Sequence, residues 1–188
     1  MDLKNELLNL DNRNSVVRGA CKKIINLADI PIEHLDIPEH FHDNSFYPEN
    51  ERSLLDVALV MKGLIVENGF DPRLTAGVHE AMRNAYQHGN NKDPKKKIIL
   101  RSSVNKKNAR FIVGDGGGTI HSDFFPYVLR YRVCDDYLKP VDFYRFSSKE
   151  KLAENGGIGL MTMHLVFDEI RFFKDVSGGL LTYLAKSK

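Results

Sequence analysis

The chain has 188 residues, of which 42% are hydrophobic and 28% charged, with 27 Lys and Arg against 25 Asp and Glu. At roughly 150 residues per domain this length fits one folded domain with a short extension, and the apolar content excludes a disordered chain. A net charge of +2 argues against direct nucleic-acid binding. No apolar stretch approaches the roughly 18 residues of a membrane span, so no membrane partner is expected.

The two cysteines, Cys21 and Cys134, are far apart in the sequence, which argues against a disulfide framework. The first six residues include two acids and form no apolar leader segment. Together these observations predict a protein of the reducing cytoplasm.

Residues 1–45 are predicted to be an N-terminal extension, and residues 46–188 the main domain. Residues 3–27 have scattered apolar positions at helical spacing and are predicted to form a polar helix, after which Pro31 and Pro38 interrupt the chain. His40 and His42 have a spacing that two metal ligands can adopt, although histidines in a solvated loop are the simpler interpretation.

Two helices are predicted next. Ser53 is expected to cap the first, whose apolar residues recur at three- and four-residue steps and which ends at Gly69. Asp71 followed by Pro72 predicts the start of the second helix, which continues to about His88. On a helical wheel five residues of this second helix share the core side: Leu74, Val78, Ala81, Met82 and Ala85.

Glu80 and Asn84 lie one turn apart on the flank of that apolar side, so a carboxylate and a carboxamide are stacked at the edge of the core. An ordinary solvated flank would show the same pattern. After this helix the pattern predicts two β-hairpins, at residues 98–113 and 169–185, with a third helix ending at Val166 between them. This order indicates an α+β fold with helices on one face of a mostly antiparallel sheet.

Two glycine-rich segments carry the other candidate chemistry. Asp115 follows a strand and precedes three glycines, which suits a hydrogen bond from an exocyclic amine such as that of adenine to the carboxylate. Residues 156–159 open the third helix with bare backbone N–H groups, which favour phosphate. Either segment alone is equally typical of an ordinary glycine turn.

Taken together, three motifs resemble those of the GHKL ATPase superfamily over residues 46–186. Glu80 and Asn84 stand in Glu-Ala-x-x-Asn-Ala-x-x-His-Gly, Asp115 in Asp-x-Gly, and Gly157 and Gly159 in Gly-x-Gly-Leu. The first motif is most similar to that of the bacterial anti-sigma-factor serine kinases. The resemblance implies a two-layer sandwich of the Bergerat type, with ATP and Mg²⁺ as cofactors.

The resemblance also implies roles for the matching residues. Asn84 would coordinate Mg²⁺, Asp115 would bind the adenine amino group, and Glu80 would be the general base for a serine hydroxyl. The remaining nucleotide-pocket residues that it implies are His88, Gly117, Thr119, Gly157, Gly159, Leu160 and Thr182. Two positions depart from the family pattern, since Thr119 stands where a second glycine is expected and Leu180 where a threonine often follows glycine.

The function that the resemblance implies is a cytoplasmic serine protein kinase, which phosphorylates a STAS-domain antagonist and sequesters a sigma factor. A homodimer is a further expected association. Because of the two departures, a nucleotide-binding switch of the same fold without phosphotransfer is the alternative, and a scaffold without nucleotide is the third. The segment at residues 119–155 is predicted to be a lid, either an interaction surface or a tyrosine-rich subcore.

Overall fold

The computed structural model describes residues 24–26, 33–117, 119–121, 158–176 and 178–188. Within them the chain is α+β, with a five-stranded antiparallel sheet and three α-helices. In chain order the elements are β1 (Ile24–Asn26), β2 (His42–Asp43), α1 (Glu51–Glu67), α2 (Leu74–Asn84), a π-helical segment (Ala85–Gly89), β3 (Ile99–Val104), β4 (Asn108–Gly114), β5 (Thr119–His121), α3 (Ile158–Val166), β6 (Glu169–Lys174) and β7 (Leu180–Ser187).

The main sheet has the strand order β2-β3-β4-β7-β6, and each neighbouring pair is antiparallel. Both predicted hairpins are confirmed as β3–β4 and β6–β7, and they join side by side through β4 and β7, where Gly114 lies opposite Leu181. The polar turn of the first hairpin is stabilised by Asn105, whose side chain accepts from the backbone N–H groups of Lys107 and Asn108.

The principal core lies between the helices and one face of this sheet. All three helices contribute almost fully buried apolar side chains, and they pack on alternate residues of the central strands. Burying a side chain of this size stabilises the fold by roughly 1.5–3 kcal/mol. The largest fully buried side chains of this core are Leu54, Ile65, Leu74, Met82, Ile98, Leu100, Phe111 and Met163.

A second apolar cluster covers the opposite face of the sheet. Phe41 packs there with Ile112 and Leu181, and the segment preceding it adds Leu35 and Ile37. The backbone of this segment also pairs with the end of β6, because the Leu35 N–H donates to the Lys174 carbonyl at 3.1 Å. Residues 33–45, which the sequence pattern places in the extension, are therefore built into the sheet.

The helical prediction for residues 3–27 is wrong at its described end. Ile24–Asn26 form strand β1, which pairs antiparallel with β5, with Ile24 opposite His121 and Asn26 opposite Thr119. Backbone partners almost a hundred residues away satisfy these hydrogen bonds, and local periodicity carries no information about such partners. The rest of that predicted helix lies outside the described residues.

Both helix starts differ from the sequence expectation. Asn50, not Ser53, caps α1: its side-chain oxygen accepts from the backbone N–H of Arg52 at 2.9 Å and of Ser53 at 3.3 Å. Before α2, the Asp71 carboxylate does accept from the Arg73 N–H at 2.8 Å, but this first turn is wound more tightly, so the α-helix itself begins at Leu74. Among the described residues, no helix combines the length and apolar character needed to cross a bilayer.

Candidate functional site

The predicted core side of α2 is confirmed, because its five apolar residues are all buried. On the adjoining flank, Glu80 and Asn84 are partly buried, and the Glu80 side chain is only 16% exposed. Its Oε1 accepts from Arg83 Nη1 at 3.2 Å. Its Oε2 is buried and has no hydrogen-bond partner within the described residues. A buried carboxylate oxygen without a donor is costly, so this oxygen is suited to receive a proton or hydrogen bond from a ligand.

The start of α3 packs directly on that carboxylate. A methyl group added at Gly159 would collide with Glu80 Oε2, so a larger residue at this position would displace the carboxylate. Gly77 has the same role nearer the start of α2, where an added methyl would lie 2.7 Å from Phe167 and Val166. Two glycines therefore let α2 and α3 pack closely and bring the first and third sequence motifs together.

Asp115 follows β4 and is only 4% exposed. Its Oδ1 accepts from the Gly117 N–H at 2.9 Å. Burial raises the pKa of Asp115 to about 6, and the hydrogen bonds from the backbone of Gly117 and Leu180 only partly offset that increase. Asp115 is thus a buried acceptor whose charge changes between pH 5 and 7.

Three glycines from separate parts of the chain enclose Asp115. A methyl group at Gly89 would collide with the Asp115 carboxylate, and one at Gly117 would collide with the Gly89 carbonyl. A methyl group at Gly179, in the turn before β7, would collide with the Asp115 carbonyl. The end of the π-helical segment, the loop after β4 and the β6–β7 turn therefore meet around Asp115.

Sequence reasoning missed Asn90, which holds two of these segments together. Its side chain is fully buried; the amide nitrogen donates to the Lys97 carbonyl at 3.1 Å, and the oxygen accepts from the Gly116 N–H at 3.1 Å. Gly179 enters the sequence pattern as a turn residue and as the glycine that precedes the departure at Leu180. The polar run Gly89-Asn90-Asn91 after a helix is the one signal that could have drawn attention to Asn90.

The other predicted residues occupy several surroundings. His88 is an exposed residue of the π-helical segment, and Leu160 is buried in α3. Thr119 begins β5, opposite Asn26, and Thr182 is a partly buried residue of β7, opposite Val113. Gly157 and the lid residues 122–155 lie outside the described residues.

The described residues contain no group of three or more His, Cys, Asp and Glu side chains that could hold a metal ion. His40 and His42, the pair with ligand spacing, are both exposed.

Comparisons with known proteins assign no function to this site, so the site is interpreted from its chemistry. No protein-family model matches the chain, and its sequence has no significant match among curated proteins.

Proposed function

We propose that the protein is an ATP-binding serine protein kinase with a Bergerat-type nucleotide pocket, of the anti-sigma-factor type. The observation that carries the proposal is the arrangement along α2. Glu80, with its unpartnered oxygen, lies against Gly159 near the middle of the helix, and Gly89 lies against Asp115 beyond its end. The two points are nine residues apart along the continuous helical stretch that α2 and the π-helical segment form.

The end of this helical stretch at Asp115 suits the adenine base. An ionised carboxylate accepts hydrogen bonds and cannot donate them, so it selects an exocyclic amine over a carbonyl. The surrounding glycines let three backbone segments pack closely around Asp115, which holds this acceptor in place. Lys96 is near enough to favour the ionised form of Asp115 electrostatically, which supports the acceptor role.

Asn84 suits the phosphate end, between Glu80 and Gly89 on the same helix. Its carboxamide oxygen is a hard ligand of the kind that Mg²⁺ takes, and Mg²⁺ commonly binds through one or two protein ligands together with substrate phosphates and water. When bound, Mg²⁺ supplies neutralisation of phosphate charge in the transfer reaction. The donor set of the described residues fits such a shared site better than a dedicated protein cage.

Glu80 is proposed to be the general base. Its Oε2 would take the proton of a substrate serine hydroxyl while the serine oxygen attacks the γ-phosphorus. The bond from that phosphorus to the bridging oxygen of the β-phosphate breaks, and ADP leaves with the electron pair. Nucleotide binding alone does not require a buried carboxylate with one unpartnered oxygen, so Glu80 favours phosphotransfer over a switch function.

The partners proposed with this activity are a STAS-domain antagonist as the phosphate acceptor and a sigma factor as the sequestered protein. A homodimer and a cytoplasmic location belong to the same proposal. These associations are supported by the Glu-Ala-x-x-Asn-Ala-x-x-His-Gly motif, which is similar to that of the anti-sigma-factor serine kinases.

Incubation with γ-labelled ATP, Mg²⁺ and STAS-domain proteins encoded beside this gene tests the proposal. We expect labelled phosphoserine with the wild type, and a loss of roughly 10²- to 10⁴-fold in Glu80→Gln, the usual contribution of a positioned base. Calorimetric ADP affinity should be nearly equal in both proteins. Glu67→Gln, an exposed carboxylate change on α1, is the matched control and should keep full transfer.

Two results would reject the kinase. ADP binding without transfer to any of these acceptors would favour the switch alternative, and the absence of binding at millimolar nucleotide would favour a scaffold. Full-rate transfer in Glu80→Gln would remove Glu80 as the base and leave nucleotide binding in place.

A further inference from the structure

We propose that Arg83 is a positioning residue for Glu80, an inference that rests on the proposed kinase function. Arg83 lies three residues after Glu80, so both side chains project from neighbouring positions on α2. Arg83 Nη1 donates to Glu80 Oε1 at 3.2 Å, and this ion pair joins a side chain that is 37% exposed to one that is 16% exposed.

The contact with Arg83 gives the two oxygens of the Glu80 carboxylate different surroundings. Oε1 is held by Arg83, whereas Oε2 faces Gly159 and has no partner within the described residues. Fixing one oxygen restricts rotation about the terminal bond of Glu80, a broad torsion when nothing holds it. Arg83 therefore keeps the unpartnered Oε2 oriented toward the side where α3 begins.

The charge of Arg83 also acts on a second carboxylate, that of Glu51. Glu51, the first residue of α1, accepts from Gln87 Nε2 at 2.7 Å and lies 3.7 Å from Lys92 Nζ. The pKa of Glu51 is lowered, first by the Gln87 hydrogen bond and then by the charges of Lys92 and Arg83. The Arg83 guanidinium thus lies within the field of two carboxylates, one on each helix.

The Arg83 pair differs from an ordinary surface pair of the same kind. Just before α2, Arg73 Nη2 lies 2.6 Å from Asp71 Oδ2, but the Arg73 side chain is 81% exposed. Water screens such a pair, which then contributes little. Arg83, in contrast, leaves its Nε buried without a partner among the described residues, a cost that a solvated pair does not carry. The Arg83–Glu80 pair is therefore less exposed to screening water than the Arg73–Asp71 pair.

A double-mutant cycle tests the inference. The variants are Arg83→Gln, Arg83→Lys, Glu80→Gln and the double change Arg83→Gln with Glu80→Gln, with Arg73→Gln as the matched control. Transfer is measured from γ-labelled ATP to the STAS-domain protein that accepts phosphate from the wild type. ADP affinity and melting temperature are measured for every variant.

We expect Arg83→Gln to lower kcat by roughly 10- to 100-fold, as a misplaced reacting group does, with KM for ATP and ADP affinity unchanged. Arg83→Lys should restore part of the rate, because an ammonium can reach Oε1 but lacks the planar fork. In the Glu80→Gln background, Arg83→Gln should cost nothing further, since Arg83 acts through Glu80. Arg73→Gln should keep the full wild-type rate.

The outcomes separate the two proposals. Transfer that is insensitive to Arg83→Gln, or an equal loss in the Glu80→Gln background, overturns the positioning role and leaves the kinase standing. A wild type without transfer overturns the kinase and this role together. If Arg83→Gln does not melt cooperatively, the cycle is run with Arg83→Lys and judged by the same criterion.

Discussion

Replacing Asp115 by asparagine should make the protein more stable relative to the wild type as the pH rises. Asp115 is buried, and its pKa is raised from 3.8 to about 6 chiefly because burial disfavours the charged form. One pH unit of difference between the folded and unfolded pKa corresponds to about 1.4 kcal/mol. The ionised carboxylate therefore costs the folded state about 3 kcal/mol at neutral pH.

The sign follows from proton binding. Below pH 3.8 the carboxyl is protonated in both states, so it adds no pH dependence. Between pH 3.8 and about 6 the unfolded chain loses this proton while the folded protein keeps it, so rising pH lowers the free energy of unfolding. Above about pH 6 the full penalty is present. Asp115→Asn removes this dependence, whatever constant offset the new amide introduces.

Urea unfolding of both proteins at pH 4 and pH 7.5 measures the effect. The free energy of unfolding of the variant minus that of the wild type should increase by roughly 2 to 2.5 kcal/mol between these pH values, because part of the penalty is already present at pH 4. A difference that is the same at both would refute the reasoning, because it would mean that the carboxyl titrates normally in the folded state.

Asp168→Asn is the control with the opposite sign. Burial, the largest single influence, opposes ionisation of Asp168, but hydrogen bonds from the Lys186 ammonium and the Ser187 backbone, with the charge of Lys186, lower its pKa overall. Its stabilising contribution is present above the unfolded pKa and is lost as the pH falls. The Asp168→Asn protein should therefore be less stable than the wild type at pH 7.5 and approach it in acid.

Two further changes test the other end of the site. Asn84→Ala should weaken the Mg²⁺-dependent part of ADP binding, which calorimetry with and without EDTA measures. The variant should still melt cooperatively, because the side chain lies on the helix flank. Loss of folding would show that Asn84 has a structural role instead. Gly159→Ala should lower transfer by roughly 10- to 100-fold with little change in melting temperature, because the new methyl displaces the flexible end of Glu80. Gly63→Ala, where an added methyl meets nothing, is its control, and equal transfer in both variants would contradict the contact.

The sequence predicts the regular elements well where their stability is local. The spacing of apolar residues predicts α1, α2 and the two hairpins, because each of these elements buries one face against a neighbour. β1 does not, since residues 24–26 become a strand only by pairing with β5. The choice of Asn50 over Ser53 as the helix cap also depends on the conformation of the preceding chain, which composition leaves open.

The sequence could not predict which residues of the site are in contact, and the reason is geometric. A wheel drawn at 100° per residue describes α2 up to Asn84, but the following Ala85–Gly89 segment is π-helical and turns more slowly. The wheel therefore cannot anticipate that Gly89 and Asn90 reach the loop after Asp115. The contact between Gly159 and Glu80 likewise joins residues far apart in sequence. The sequence motifs identified these residues as candidates, but only the fold determines which of them are in contact.

The apolar cluster on the back of the sheet sets a practical limit for preparing fragments. A chain shortened to begin at residue 46 would lose Phe41 and the segment before it, uncovering Ile112 and Leu181. It would also lose β2 and leave the outer edge of β3 without that partner. Exposed apolar patches and open strand edges promote self-association, so such a fragment should aggregate more readily than the longer chain. Fragments for crystallisation or spectroscopy therefore need to begin before residue 33.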